Sequence, residues 1–147
     1  MSHGKTSRRN VSKARRAVFE RDGYQCITGG LLGPLGACQG SPTLQHRVGR
    51  GMGGSSSFDD TPAYLITLCW RHNVLETENA DARTFYESVG WSIPRWVMRS
   101  FSIEQVPVCY LDGWALLEGD KRVTITAAEA VERMGVIYGE RWIPAGI

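Results

Sequence analysis

Three observations predict an α+β fold for this 147-residue chain. Two short stretches, TLQHRV (43–48) and YLITLC (64–69), have the composition of strands and flank a connection rich in glycine and serine. They read as an antiparallel hairpin with an unusually long loop, and long loops in small domains tend to be functional. The segment that follows, CWRHNVLETENADARTFYESVG (69–90), is helical in composition, and VPVCYLDGWALLEGDKRVTIT further on reads as two or three short strands. The predicted architecture is a hairpin-plus-helix core, a basic N-terminal arm and helix, and a small β-rich C-terminal extension.

The elements follow in chain order. Residues 1–11 are expected to be a basic flexible arm, and SKARRAVFERDGYQC opens with Ser12 as a candidate N-cap. A helix over about 12–21 is expected, with Val18 and Phe19 turned to the core and Gly23 at the C′ position. Residues 26–42, with five glycines and two prolines, read as loop. The helical stretch 69–90 is expected to break near Thr77–Asn79 and close at Gly90, with Ala82, Phe85 and Val89 on its core face. The C-terminal strands turn at Asp112–Gly113 and Gly119–Asp120, and Thr126-Ala-Ala-Glu129 is a capping-box pattern that starts a helix ending near Gly135. This divides the chain into an arm (1–11), a central domain (12–99) and an extension (100–147) that packs on or beside it.

Composition narrows the function classes. With 42% apolar and 22% charged residues the chain has the make-up of a soluble globular protein, and no apolar run approaches membrane-spanning length. The N-terminus lacks the apolar core of a secretory signal, so a cytoplasmic protein is expected. Four cysteines at uneven spacing suit thiols or metal ligands better than a disulfide framework. The net charge of +2 hides an asymmetry: Lys5, Arg8, Arg9, Lys13, Arg15, Arg16 and Arg21 face only Glu20 within residues 1–21, leaving the rest acidic overall. Such a cationic end can neutralise phosphates and release counterions, which points to nucleic acid.

The order of motifs then carries a resemblance. RDGYQC, a strand ending in QHR, the loop RGMGG, PAYLITLC and the helix WRHNVLE together resemble the HNH endonuclease family, particularly its small phage-type members, over roughly residues 14–91. The resemblance implies a ββα-metal fold, in which a hairpin and one helix hold a divalent cation (Mg²⁺, Mn²⁺ or Zn²⁺) against a phosphate of double-stranded DNA. Phosphodiester hydrolysis needs a base, a cation to stabilise developing charge, and donors that hold the backbone. His46 fits the base, because an imidazole titrates near neutrality. His72 and, one turn on, Glu76 fit the cation, with Gln45 where the family has a first His or Asp and Asp59 or Asp60 as a further carboxylate. Arg47 and Arg50 are expected to hold phosphate oxygens, joined by Arg8, Arg9, Lys13, Arg15, Arg16 and Arg21.

Two positions depart from the family pattern. Gln45 offers an amide oxygen in place of a carboxylate or imidazole, and Tyr64 stands where the family's Asn fixes the loop or orients the base. His72 also admits a second register. Zinc-stapled relatives read L-C-x-x-C-H; aligned on that pattern, His72 falls on the second Cys and Asn73 on the active-site His. Cys26, Cys38, Cys69 and His72 then form a Cys₃His set for structural zinc.

The functional expectation is a divalent-metal-dependent DNA endonuclease with His46 as general base, in the cytoplasm of an infected bacterium if phage-encoded. The alternative is a catalytically degenerate HNH-like protein that binds DNA or a partner, whether a second copy or another phage or host protein. Cys109 reads as a buried small hydrophobe, and Trp91, Trp96 and Trp114 as packing residues.

Overall fold

The computed structural model describes residues 13–28, 36–49, 61–142 and 144. Arg8, Arg9, Ser12, Arg50, Asp59 and Asp60 lie outside the described residues. Helix α1 spans residues 13–21 and buries Val18 completely. It stops where expected: Gly23 (φ 72°) and then Tyr24 (φ 57°) turn left-handed, and the Tyr24 amide donates to the Phe19 carbonyl at 2.8 Å. Glycine takes that conformation without strain; Tyr24 is held there while its ring stacks on Phe19.

The predicted hairpin is present. Strand β1 (Pro42–His46) pairs antiparallel with β2 (Leu65–Cys69), in a register running from Pro42 opposite Cys69 to His46 opposite Leu65. All five residues of β2 are buried, which explains its unbroken apolar character. The chain then enters α2 (Trp70–Glu78) and, after a break at Asn79, α3 (Ala80–Ser88). Asn79 is extended, and its side chain accepts from the amides of Asp81 and Ala82, so one residue stops the first helix and caps the second. Gly90 (φ 78°) follows α3 at a place where a Cβ would lie 1.8 Å from the Pro107 carbonyl oxygen. Only glycine lets the two segments approach that closely.

Strands β3 (Val108–Tyr110), β4 (Gly113–Glu118) and β5 (Lys121–Ile125) form an antiparallel meander with the predicted turns. Thr126 then caps α4 (Ala127–Tyr138) by accepting from the Glu129 amide. This helix runs past Gly135 to Gly139, which closes it at φ 61°. Burial of Ile137 and Tyr138 on its inner face sustains the extra turn, which outweighs a single glycine's weak helix propensity.

One core serves the described residues. Leu68, Tyr86 and Trp91 from the central part share it with Val106, Cys109, Leu117 and Met134 from the C-terminal third. Cross-bonds stitch the two parts: the Cys109 amide donates to Val89 O at 2.9 Å, and Trp91 Nε1 donates to Cys109 O at 2.7 Å. Trp96 and Trp114 pack against its edge.

Candidate metal centre

Three separate pieces of chain converge at the Pro42–Cys69 end of the hairpin. The turn after α1 supplies Cys26, the extended segment from Gly36 supplies Cys38, and β2 ends on Cys69, which is also the N-cap of α2. His72 lies in the first turn of α2 and is wholly buried. Its Nδ1 is 3.1 Å from Cys69 Sγ, 3.5 Å from Cys26 Sγ and 3.7 Å from Cys38 Sγ. The four donor atoms lie within 4.8 Å of one another. Ligands around tetrahedral zinc, with bonds of about 2.0–2.3 Å, stand roughly 3.5–3.8 Å apart, so the set has the size of a Cys₃His site.

The tautomer of His72 supports the same use. Nε2 is 3.1 Å from the carbonyl oxygen of Gly36, which can only accept, so Nε2 carries the proton. Nδ1 is left with its lone pair facing three sulfurs, the arrangement by which an outer hydrogen bond orients a metal-binding imidazole. Thr28, also buried, places Oγ1 3.0 Å from Cys26 Sγ and 3.4 Å from Nδ1. Burial of the sulfur, and then the neighbouring Cys26, push the Cys38 thiol up to about 11. A cation reverses that penalty by stabilising thiolates. These four residues could therefore bind a metal ion such as zinc.

His72 is thus gathered with the sulfurs and not with His46. In the hairpin register Cys69 and His46 stand at opposite ends, four positions apart, or roughly 13 Å at strand rise. Helix α2 runs from the sulfur end along β1. Asn73 Nδ2 donates to Thr43 Oγ1 at 2.8 Å and Leu44 O at 3.2 Å, and one turn on Gln45 Nε2 donates to Glu76 Oε2. Gln45 and Glu76, both expected as cation ligands, are brought together, and half-buried His46 is the next residue of the strand. Glu76 also accepts from Ser92 Oγ at 3.3 Å, and burial raises its pKa above the ordinary carboxylate value, partly offset by Ser92 and Arg83. Tyr64 lies at the mouth of β2, where its carbonyl accepts the Arg47 amide at 2.8 Å.

Two arginines expected on phosphates are framework residues instead. Arg47 is fully buried, and its guanidinium donates to the carbonyls of Gly90, Ala63 and Val106 at 2.9–3.0 Å. Arg21 is sequestered with Asp22 at 2.9 Å and also donates to Pro62 O. Their side chains lie in the interior with every guanidinium nitrogen bonded to a backbone carbonyl or to Asp22, which turns them away from a phosphate. Lys13, Arg15 and Arg16 are exposed along α1. Thr28, Gly36 and Ser92 carry no signal in the sequence, since small hydroxyls and carbonyls become partners only through the fold.

No family model, curated protein or solved structure matches the chain. Among the described residues no helix is long and apolar enough to cross a membrane.

Proposed function

We propose that the protein is a metal-stapled endonuclease of the HNH, ββα-metal type acting on double-stranded DNA. The observation that carries this reading is the meeting of Gln45 and Glu76, 31 positions apart, one residue before His46 near the end of β1. A carboxylate that is largely buried and held by neutral donors is a poor structural choice and a good cation ligand. With Cys26, Cys38, Cys69 and His72 assigned to structural zinc, the second register of the motif applies, and Glu76 with Gln45 is what the hairpin and helix offer to a catalytic divalent cation.

In this reading His46 takes a proton from water, and the exposed cations of α1 hold the duplex backbone. The bound cation supplies charge stabilisation at the phosphate and the leaving oxygen. Glu76 and Gln45 would hold that ion. The DNA substrate and the unpaired cysteines both fit the bacterial cytoplasm.

A second reading is favoured by one observation: Asn73, which stands at the active-site His position, is spent on Thr43 and Leu44. A scaffold so tied off could bind DNA or a partner without cutting. Plasmid nicking with Mg²⁺ or Mn²⁺ tests the choice. The endonuclease reading expects nicking that is lost in His46→Ala while DNA affinity stays within about twofold; affinity without nicking at any metal concentration selects the binding module.

A further inference from the structure

We infer that Arg47 is a positioning residue that couples the C-terminal third of the chain to the end of β1, so that residues near 90 and 106 determine where His46 stands. The inference rests on the nuclease reading only for why His46 needs placing; the coupling itself is a matter of geometry.

Arg47 is held at five points. Its amide donates to Tyr64 O at 2.8 Å, and its carbonyl accepts from the Ile93 amide at 2.7 Å. Its guanidinium reaches Ala63 O at 3.0 Å, Gly90 O at 2.9 Å and Val106 O at 3.0 Å. The partners come from the entry to β2, the end of α3 and the segment before β3, so one side chain fastens three parts of the chain to the residue after His46. The planar fork of a guanidinium spans three carbonyls at fixed angles, which an ammonium cannot do.

The joint is built to receive it. At Gly90 the absence of a Cβ lets Pro107 approach, and this contact places the Gly90 and Val106 carbonyls around the same guanidinium. Burial lowers the Arg47 pKa to about 9, so the group remains charged at neutral pH and its bonds are charge-assisted. A parallel bridge between Val48 and Ile93 continues the attachment one residue further.

The experiment uses the full chain and two substitutions, Arg47→Met and Arg47→Lys. With only three histidines in the chain, the His46 imidazole resonances can be assigned and report on its surroundings directly. In folded Arg47→Met the His46 ring resonances are expected to shift, since the residue that follows it is no longer fastened. Exchange of the Ile93 amide is expected to quicken about tenfold, with Arg47→Lys intermediate. Unchanged His46 ring resonances and Ile93 exchange in folded Arg47→Met overturn the inference. So does a fall of about one in the salt slope of DNA binding, which marks a phosphate contact.

Should neither variant fold, native-state exchange of the unsubstituted chain decides. The Arg47, Ile93 and Cys109 amides are expected to open as one cooperative unit; an Arg47 amide that opens on its own overturns the coupling. A chain that never cleaves DNA refutes the nuclease reading and leaves these measurements standing.

Discussion

Cys69 Sγ accepts the backbone amide of His72 at 3.4 Å and faces Nδ1 of the same residue at 3.1 Å. A single residue therefore ends a strand, caps a helix and presents sulfur to an imidazole. The cap fixes the first turn of α2 and with it the placement of His72 relative to Cys69.

Zinc is expected to bind with a stoichiometry of one and to stabilise the fold. At free zinc about 1,000 times its dissociation constant, linkage contributes about 4 kcal/mol, or a rise in Tm of roughly 10 °C for a chain of this size. Metal analysis of purified protein and thermal unfolding with and without chelator check this, and Cys69→Ser should abolish both the bound ion and the shift.

Glu76→Gln separates chemistry from stability. Burial raises the Glu76 carboxyl pKa, so its contribution to stability is present at low pH and is lost as pH rises through the folded value. At pH 7 without divalent cation the neutral isostere is expected to match or exceed the unsubstituted chain in Tm. Cleavage should fall on the order of 10²-fold or more. A large loss of stability instead would assign Glu76 a purely structural part.

Alkaline pH should loosen the core. Burial pushes the Cys109 thiol up to about 11 and also raises the phenols of Tyr86 and Tyr110. These are acids with raised folded values, so the unfolded chain ionises first and stability falls as pH rises from about 9. The Cys109 part amounts to about 2–3 kcal/mol by pH 11. Denaturant titrations at pH 8 and pH 10.5 should show the decline, and Cys109→Ala should flatten it.

Asp22 gathers four donors: Arg21 Nε and Nη2, the Tyr110 hydroxyl at 2.7 Å and the Thr67 amide at 3.0 Å. It joins α1, β2 and β3 through one buried carboxylate. Asp22→Ala leaves the Arg21 charge buried and unpaired, and is expected to cost about 3–5 kcal/mol in equilibrium unfolding.

Much of the fold was legible because local chemistry and tertiary packing agree. Strand composition and a glycine-rich connection mark β1 and β2, Asn79 both ends α2 and caps α3, and Thr126 with Glu129 starts α4. The end of α4 was not legible, since the burial that carries it past Gly135 depends on partners elsewhere in the chain. Cys26, Cys38, Cys69 and His72 were legible only as one of two registers. The eleven residues between Cys26 and Cys38 hide their convergence, which depends on how the hairpin ends beneath them. Arg47 misled for a physical reason: a guanidinium binds phosphate and carbonyl oxygens alike, and what decides is whether Gly90 and Val106 close over it. Positions 43 and 59 residues away hold that information.

The bond from Arg47 to Val106 also has a bearing on how the chain is made. During synthesis from the N-terminus, Val106 is added 59 positions after Arg47, so the clamp cannot close while only the hairpin has been made. A two-stranded hairpin is marginal by itself, so the seating of the β1 end waits on the C-terminal third that supplies the last carbonyl.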